Sequence, residues 1–300
     1  MSDKKAPPEL ANHIDCTPRP GYCSHLGVLQ GCMDRLGVDV DPAWLYGVTG
    51  YAFMINIPRG VCCSGPQAWD WHRICDRTPN VGIDTSQYVL SNKKLPDFAA
   101  KKERAIALTR EQFAAGVPLY GVEFGYPEFY MINGTSDEGF TFVHKYGHAN
   151  TYRTWKDFGM MDVGILFVCA VRKSTGKADD RKAIADALDF ALAVGHAAPG
   201  YVGTENPGLS AYDAWVAGLA DSAALREGPW NHPDGTTYNA GAWHDCRTRR
   251  AVPAHVSGEA GRQAQGGVRT GGRPVREGGR GIGAGACTLP VRHGPRVAGA

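Results

Sequence analysis

Cys23 stands where a Pro-Gly turn leads into a run with helical periodicity, in the stretch RPGYCSHLGVLQGCMDRLG of residues 19–37. At a helix start its thiol would lie beside the positive end of the helix dipole and near unpaired backbone N–H groups. Both features lower the pKa of a thiol, and the N–H groups can hold an oxyanion. The position favours a nucleophile, although a small apolar residue packed at a helix start is an equally simple interpretation.

Two neighbouring residues are weaker alternatives. Cys16 is a second thiol, but it lies in a segment with loop character and has no helix dipole acting on it. His25 follows Cys23 by two residues, and on a helix such a residue points away from its neighbour. We therefore interpret His25 as a surface or capping histidine.

Metal and cofactor patterns are weak. His72-x-x-Cys75 and His144-x-x-x-His148 have spacings that a metal could use, but neither has a third ligand nearby. No glycine-rich nucleotide motif follows a strand, and the sequence has no P-loop and no G-x-S-x-G elbow. We expect no metal and no cofactor.

Hydrophobic periodicity predicts the elements that position these residues. Apolar residues recur at helical spacing between Cys23 and a stop signal at Gly37, and Asp41-Pro42 starts a second helix. Later helices are predicted over residues 64–74, 97–115, 179–196, 210–224 and 240–250. Short apolar or alternating runs predict strands over residues 51–57, 117–124, 129–132, 140–144 and 164–171. This order predicts an α+β fold in which N-terminal helices pack on an antiparallel sheet and a helical C-terminal part follows.

A cysteine on an N-terminal helix, followed by an antiparallel sheet, is the order of papain-like cysteine enzymes. The stretch YCSHLGVLQGCMDRLGVDVDPAWLYGVTGYAFMI resembles the N-terminal domain of butirosin biosynthesis protein H-like proteins and, more distantly, the bacteriocin-leader-processing cysteine peptidases. PLYGVEFGYPEFYMINGTSDEG is similar to a strand-turn-strand of that superfamily, and AYDAWVAGLA and TYNAGAWHDCR resemble the helical part that often follows. The resemblance covers about residues 15–250.

The resemblance implies cysteine-dependent acyl transfer or amide hydrolysis through Cys23, in specialised metabolism. An acyltransferase of this family moves an aminoacyl group from a carrier protein to an aminoglycoside amine. The implied partners are thus a small-molecule or peptide substrate and an acyl carrier protein.

Three positions depart from the family pattern. In leader peptidases a histidine opens the strand written here EFYMI, but this slot holds Glu128, and a carboxylate beside a thiol raises its pKa and repels the thiolate. The family's following Asp or Asn position falls near His144 and Lys145, so a histidine is present, but on the neighbouring strand. Residues 1–22 contain no glutamine for an oxyanion hole. A reversed pair would still allow catalysis, with His144 as the general base and Glu128 orienting its imidazole. Alternatively, Glu128 is a structural acid paired with Arg153 or Lys145, or an anchor for a ligand amine.

Composition limits the other classes of function. The 300 residues are 43% apolar and 21% charged, which is enough for one large domain or two modest ones. A formal net charge of +2 gives no global attraction to nucleic acid or to an anionic membrane, and no apolar run is long enough to span a bilayer. Nine irregularly spaced cysteines without a C-x-x-C pair fit a reduced compartment. We expect a cytoplasmic protein without nucleic-acid or membrane partners, and its oligomeric state stays open.

The last fifty residues have a different composition. They hold 13 of the 39 glycines and seven arginines but no Lys, Asp or aromatic residue, so they cannot build a core. We interpret them as a disordered tail, with an RNA-binding tail or a reading frame lost near Arg249 as alternatives. The predicted organisation is a flexible N-terminus over residues 1–15, a papain-like α+β domain over 16–176, a helical extension packed on it over 177–250, and the Gly/Arg-rich tail over 251–300.

Two hypotheses follow for function. The first is an enzyme that uses Cys23 in thiol acyl transfer or amide hydrolysis. The second is a protein that kept the fold, lost the catalytic pair and serves as a binding or accessory module.

Overall fold

The structure is a computed structural model that describes residues 12–19, 23–57, 70–125, 127–144, 151–196 and 208–220. Helices and two antiparallel sheets make up the described part, so the predicted α+β class is confirmed. The expected tail over residues 251–300 and the predicted helix over 240–250 lie outside the described residues.

The helix predicted over residues 64–74 is wrong in its described part before His72, because Asp70 and Trp71 are not helical, and residues 64–69 lie outside the described residues. The other helices of the described part follow their sequence signals. Their bounds are α1 Ser24–Leu36, α2 Pro42–Val48, α3 His72–Cys75, α4 Phe98–Ala114, α5 Asp180–Gly195 and α6 Ser210–Ala220. The left-handed residue Gly37, with a φ of 64°, ends α1, as predicted. The Asp41 carboxylate accepts hydrogen bonds from the backbone N–H groups of Ala43 (2.8 Å) and Trp44 (3.2 Å), so the predicted N-cap of α2 is confirmed.

The strands form one large sheet and a small one. Their bounds are β1 Asn12–His13, β2 Ile83–Asp84, β3 Tyr88–Asn92, β4 Leu119–Val122, β5 Phe129–Thr135, β6 Gly139–Val143, β7 Thr151–Thr154, β8 Ile165–Ala170 and β9 Arg172–Lys173. The large sheet has the strand order β3-β8-β4-β5-β6-β7, with β1 paired to the end of β5. All of these pairings are antiparallel, and the small sheet joins β2 to β9.

Each face of the large sheet carries its own aromatic layer. On the first face, which we call the α1 face, His25 of α1 stacks on Phe129 and a Cβ on Gly31 would meet the Met131 sulfur. On the other face, which we call the Phe124 face, Tyr130 packs against Phe124 and Phe142. Because side chains alternate along a strand, Phe129 and Met131 project to one face and Tyr130 to the other.

Two local predictions differ from the structure. The predicted strand over residues 51–57 is wrong, because Tyr51–Phe53 is a 3₁₀ helix and only Asn56 forms an isolated bridge. Gly50, with a φ of 82°, turns the chain just before this segment in a conformation that favours glycine. Strand β3 was not predicted, although it pairs along its whole length with β8.

The chain divides into two compact units, Met1–Tyr51 with Asp70–Ala191, and Ala52–Trp69 with Leu192–Ala300. The first unit contains the large sheet. In the described part of the second, Ile55, Ile57 and Ala211 form a small core with Ala214 and Trp215. Within the described residues, no helix has both the length and the apolar character needed to cross a membrane.

Candidate site at the start of helix α1

Cys23 is the N-cap residue of α1. Its backbone is extended, with φ −103° and ψ 108°, and its side chain makes no capping hydrogen bond. Only 1% of the residue is exposed. The thiol therefore lies at the positive end of a thirteen-residue helix, in a buried position.

A hydrogen bond and a ring contact join the start of α1 to the start of β5. The backbone N–H of Phe129 donates to the Ser24 hydroxyl at 3.2 Å, and the His25 ring stacks on the Phe129 ring with 4.1 Å between centroids. Cys23 and Glu128 are the residues that precede this bonded pair on the two segments. The structure therefore brings the segments of Cys23 and Glu128 together.

Glu128 is half-buried and carries an unsatisfied oxygen. Its carbonyl oxygen accepts a hydrogen bond from the Glu123 N–H at 3.0 Å, but its side-chain Oε2 is buried without a hydrogen-bond partner in the part of the chain that the structure describes. Arg153, one of the predicted partners, donates its Nε–H to the Phe124 carbonyl at 2.8 Å, and no ion pair joins it to Glu128 among the described residues. The other predicted partner, Lys145, lies outside the described residues.

His144 lies on the Phe124 face. Met131 pairs with Val143 in an antiparallel register, so Tyr130 lies opposite His144 on the neighbouring strand. The centroids of these two rings are 4.9 Å apart. The imidazole is 5% exposed and shares this face with Phe142. The described contacts thus put His144 on the sheet face opposite α1.

His25 is not a surface residue, so that interpretation is wrong. It is fully buried, and its Nε2 is 2.9 Å from the Tyr120 hydroxyl. Burial lowers the pKa of His25 from 6.5 to about 3, so the imidazole is neutral at pH 7. The reason is that residue 25 belongs to the helical stripe that continues at Leu29 and Cys32, both of which are fully buried.

Glu123 is a structural residue that the sequence analysis did not single out. Its buried carboxylate accepts hydrogen bonds from the backbone N–H groups of Val163 (2.6 Å), Gly164 (3.2 Å) and Ile165 (2.6 Å). Its φ of 60° is in the left-handed region, which is rare for a residue other than glycine. An acidic residue within the otherwise apolar run 117–124 was the available signal.

The environment of Cys16, the alternative thiol, disfavours its thiolate. Its Sγ donates to the Ile132 carbonyl at 3.7 Å. Burial raises the pKa of Cys16 to about 12, with a further contribution from Asp15. A neutral thiol of this kind is a poor nucleophile at pH 7.

The metal patterns lead to no cluster in the described structure. No three His, Cys, Asp or Glu side chains converge as a metal site would need within the described residues. The Nδ1 of His72 pairs instead with the Asp70 carboxylate at 2.5 Å, and its ring meets Tyr88 edge-on. His148 lies outside the described residues.

Comparisons with protein-family models, with curated proteins and with solved structures found no match for the chain.

Proposed function

We propose that this protein is a papain-like accessory protein that binds a ligand amine at the start of α1 without catalysing acyl transfer. The observation that carries the proposal is Glu128, a carboxylate at the slot that the resemblance assigns to the catalytic histidine. Its Oε2 is buried and lacks a hydrogen-bond donor within the described residues. A buried acceptor without a donor costs free energy, which a bound amine or ammonium group would recover.

The described positions of His144 and His25 support a role other than catalysis. A thiol nucleophile needs an imidazole within hydrogen-bond reach. The His144 ring packs on Tyr130 across the sheet from α1, and the His25 imidazole contacts the Tyr120 hydroxyl. Burial of Cys23 further limits the approach of a substrate carbonyl.

Calorimetric titration tests the amine proposal. The probe is kanamycin, an aminoglycoside with several amines, and the control ligand is maltotriose, a neutral sugar of similar size. We expect kanamycin alone to bind, with an affinity at least tenfold lower in Glu128→Gln, which corresponds to about 1.4 kcal/mol. Glu138→Gln is the matched control, because Glu138 is exposed and should leave binding unchanged. Equal affinities in Glu128→Gln and the unsubstituted protein, or no binding at all, would contradict the proposal.

The second candidate function is acyl transfer or amide hydrolysis through Cys23, with His144 and Glu128 as its partners. The N-cap position of Cys23 favours it, because the positive helix end stabilises a thiolate. In this reaction the thiolate attacks a thioester carbonyl, the acyl group passes to the sulfur, and the leaving thiol takes the proton.

Mass spectrometry with S-acetyl-N-acetylcysteamine distinguishes the two functions. Under the binding proposal, Cys23 gains no acetyl group faster than Cys16, and Cys23→Ala leaves the acetylation pattern unchanged. Selective acetylation of Cys23, lost in Cys23→Ala, would favour the enzyme instead.

A further inference from the structure

A groove lies between helix α4 and the 3₁₀ helix Trp155–Asp157. Its volume is about 580 Å³. Phe98, Lys102 and Ile106 line it from α4, and Trp155 and Lys156 line it from the 3₁₀ helix. These residues are distinct from those of the candidate site at the start of α1.

The spacing of residues on α4 creates one wall of this groove. Residues four positions apart lie on the same side of an α-helix, so Phe98, Lys102 and Ile106 form a single stripe. Phe98 and Ile106 are half-buried, and Ala99 lines the groove beside them with only a methyl group. The wall is therefore apolar and only partly covered, with one amine in its middle.

Trp155 forms part of the floor and is held from three sides. Its indole N–H donates to the Ser136 carbonyl at 3.1 Å, and its ring lies 5.1 Å from the Phe140 ring between centroids. The guanidinium of Arg110, also on α4, lies over the same ring at 5.4 Å from its centroid. Because these contacts fix the ring, the groove is preformed, as ligand sites usually are.

Lys102 places a positive charge at the groove. Its ammonium donates to the Lys156 carbonyl at 2.5 Å, which leaves two N–H groups for other acceptors. Burial lowers the pKa of Lys102, while the carboxylates of Asp157 and Glu103 act in the opposite direction. No ion pair joins Lys102 to either carboxylate in the part of the chain that the structure describes. A half-buried ammonium beside apolar surface therefore still has room for an anionic partner.

The charges along the groove favour an anion as well. Its described lining residues carry two positive charges, on Lys102 and Lys156, and one negative charge, on Glu103. A groove with an excess of positive charge attracts a negatively charged ligand. The apolar wall and the ammonium thus complement a molecule that has one apolar end and one anionic end.

We propose that this groove binds an amphiphilic carboxylate, a small carboxylic acid with an apolar tail. The carboxylate accepts a hydrogen bond from the Lys102 ammonium, and the tail packs against Phe98 and Ile106. The hydrogen bond is charge-assisted, and the tail gains free energy by leaving water. This site goes beyond the proposed amine site at Glu128, because it selects the opposite charge.

A ligand-observed NMR titration of the full chain tests the charge preference. The probe is 4-phenylbutyrate, and the control ligand is 4-phenyl-1-butanol, which has the same tail without the charge. We expect the acid to bind about tenfold more tightly than the alcohol, since only the acid makes the charge-assisted hydrogen bond. Equal affinities for the two ligands, or no binding of the acid, would overturn the proposal.

Two variants of α4 locate the site, each with a matched control. Lys102→Met should weaken binding of the acid about tenfold, whereas Lys101→Met should not, because Lys101 pairs with Asp97 at 2.9 Å outside the groove. Ala99→Leu should block the groove, whereas Ala107→Leu, at an exposed position of α4 away from it, should leave binding unchanged. Unchanged affinity in Lys102→Met or Ala99→Leu, in protein with native circular dichroism, would overturn the proposal.

One further variant separates this site from the amine site. Glu128→Gln should bind 4-phenylbutyrate as tightly as the unsubstituted protein does, whatever its affinity for kanamycin. A loss in Glu128→Gln as large as that in Lys102→Met would mean that the acid binds at the start of α1, which would overturn the assignment to the groove.

Discussion

The buried histidine of α1 predicts a specific loss of stability in acid. His25 has a folded-state pKa of about 3 against 6.5 for an unperturbed histidine. As the pH falls below 6.5, His25 becomes protonated in the unfolded chain but stays neutral in the folded protein. Protonation therefore stabilises the unfolded state. Stability from this residue is therefore complete above pH 6.5 and is lost progressively as the pH falls towards 3.

The size of the loss follows from the two pKa values. Each pH unit between them contributes about 1.4 kcal/mol, so at pH 4 the residue alone removes about 3 kcal/mol from the free energy of unfolding. Other histidines and the carboxylates titrate as well, and comparison with a variant removes their contribution. His25→Gln is suitable, because its amide can still reach the Tyr120 hydroxyl but carries no titrating group.

Urea unfolding at pH 7 and pH 4, followed by circular dichroism, measures this effect. We expect the unsubstituted protein to lose about 3 kcal/mol more than His25→Gln between the two pH values. His13→Gln, at an exposed position, should behave as the unsubstituted protein does. Equal losses in His25→Gln and the unsubstituted protein would refute the reasoning, because they would mean that the imidazole is protonated in the folded state.

Three other substitutions test the fold by urea unfolding. Glu123→Gln should lower the free energy of unfolding by about 3 kcal/mol, because the N–H₂ group of the new amide would face a backbone N–H that now donates to the carboxylate. A loss no larger than that of the exposed control Glu138→Gln would contradict this expectation. Gly50→Ala should lower the free energy of unfolding more than Gly37→Ala does. Both positions have a positive φ, but only at Gly50 would the added methyl group overlap a ring, that of Phe190. Equal losses in the two variants would exclude this overlap. Asp41→Ala should cost about 1 kcal/mol through the lost N-cap of α2, and an unchanged midpoint would show that the cap contributes nothing.

Elements with local signals were predictable from the sequence. Helix α2 has its capping aspartate and first-turn proline, and α4, predicted over 97–115, is found at Phe98–Ala114. Strands β5 and β8 are apolar runs bounded by turn residues. In each of these elements, residues within or next to the element supply the capping hydrogen bond or the hydrophobic pattern that determines its conformation.

Elements that depend on distant contacts were not predictable in this way. Only alternate residues of β3 are buried, and its extended form depends on pairing with β8, which follows much later in the chain. The burial of His25 required knowing that the sheet covers its side of α1. The sequence-based interpretation treated that residue by its position on the helix alone.

The candidate site likewise combines a feature that is local in the sequence with contacts between distant segments. The helix start at Cys23 is a local feature, and α1 does begin at the next residue. The bond between Ser24 and Phe129 joins residues 105 positions apart. The face on which His144 lies follows from the register of β5 and β6, which no local pattern encodes.

The carboxylate of Glu123 has a consequence for how this chain can change in evolution. Three consecutive backbone amides, from Val163 to Ile165, converge on one side chain that sits just after β4. A residue inserted or deleted among those three positions would move at least one amide out of reach, so the length of this loop is tied to the acid. Homologues that shorten or lengthen the loop should therefore also replace the glutamate, and those that keep it should keep the spacing.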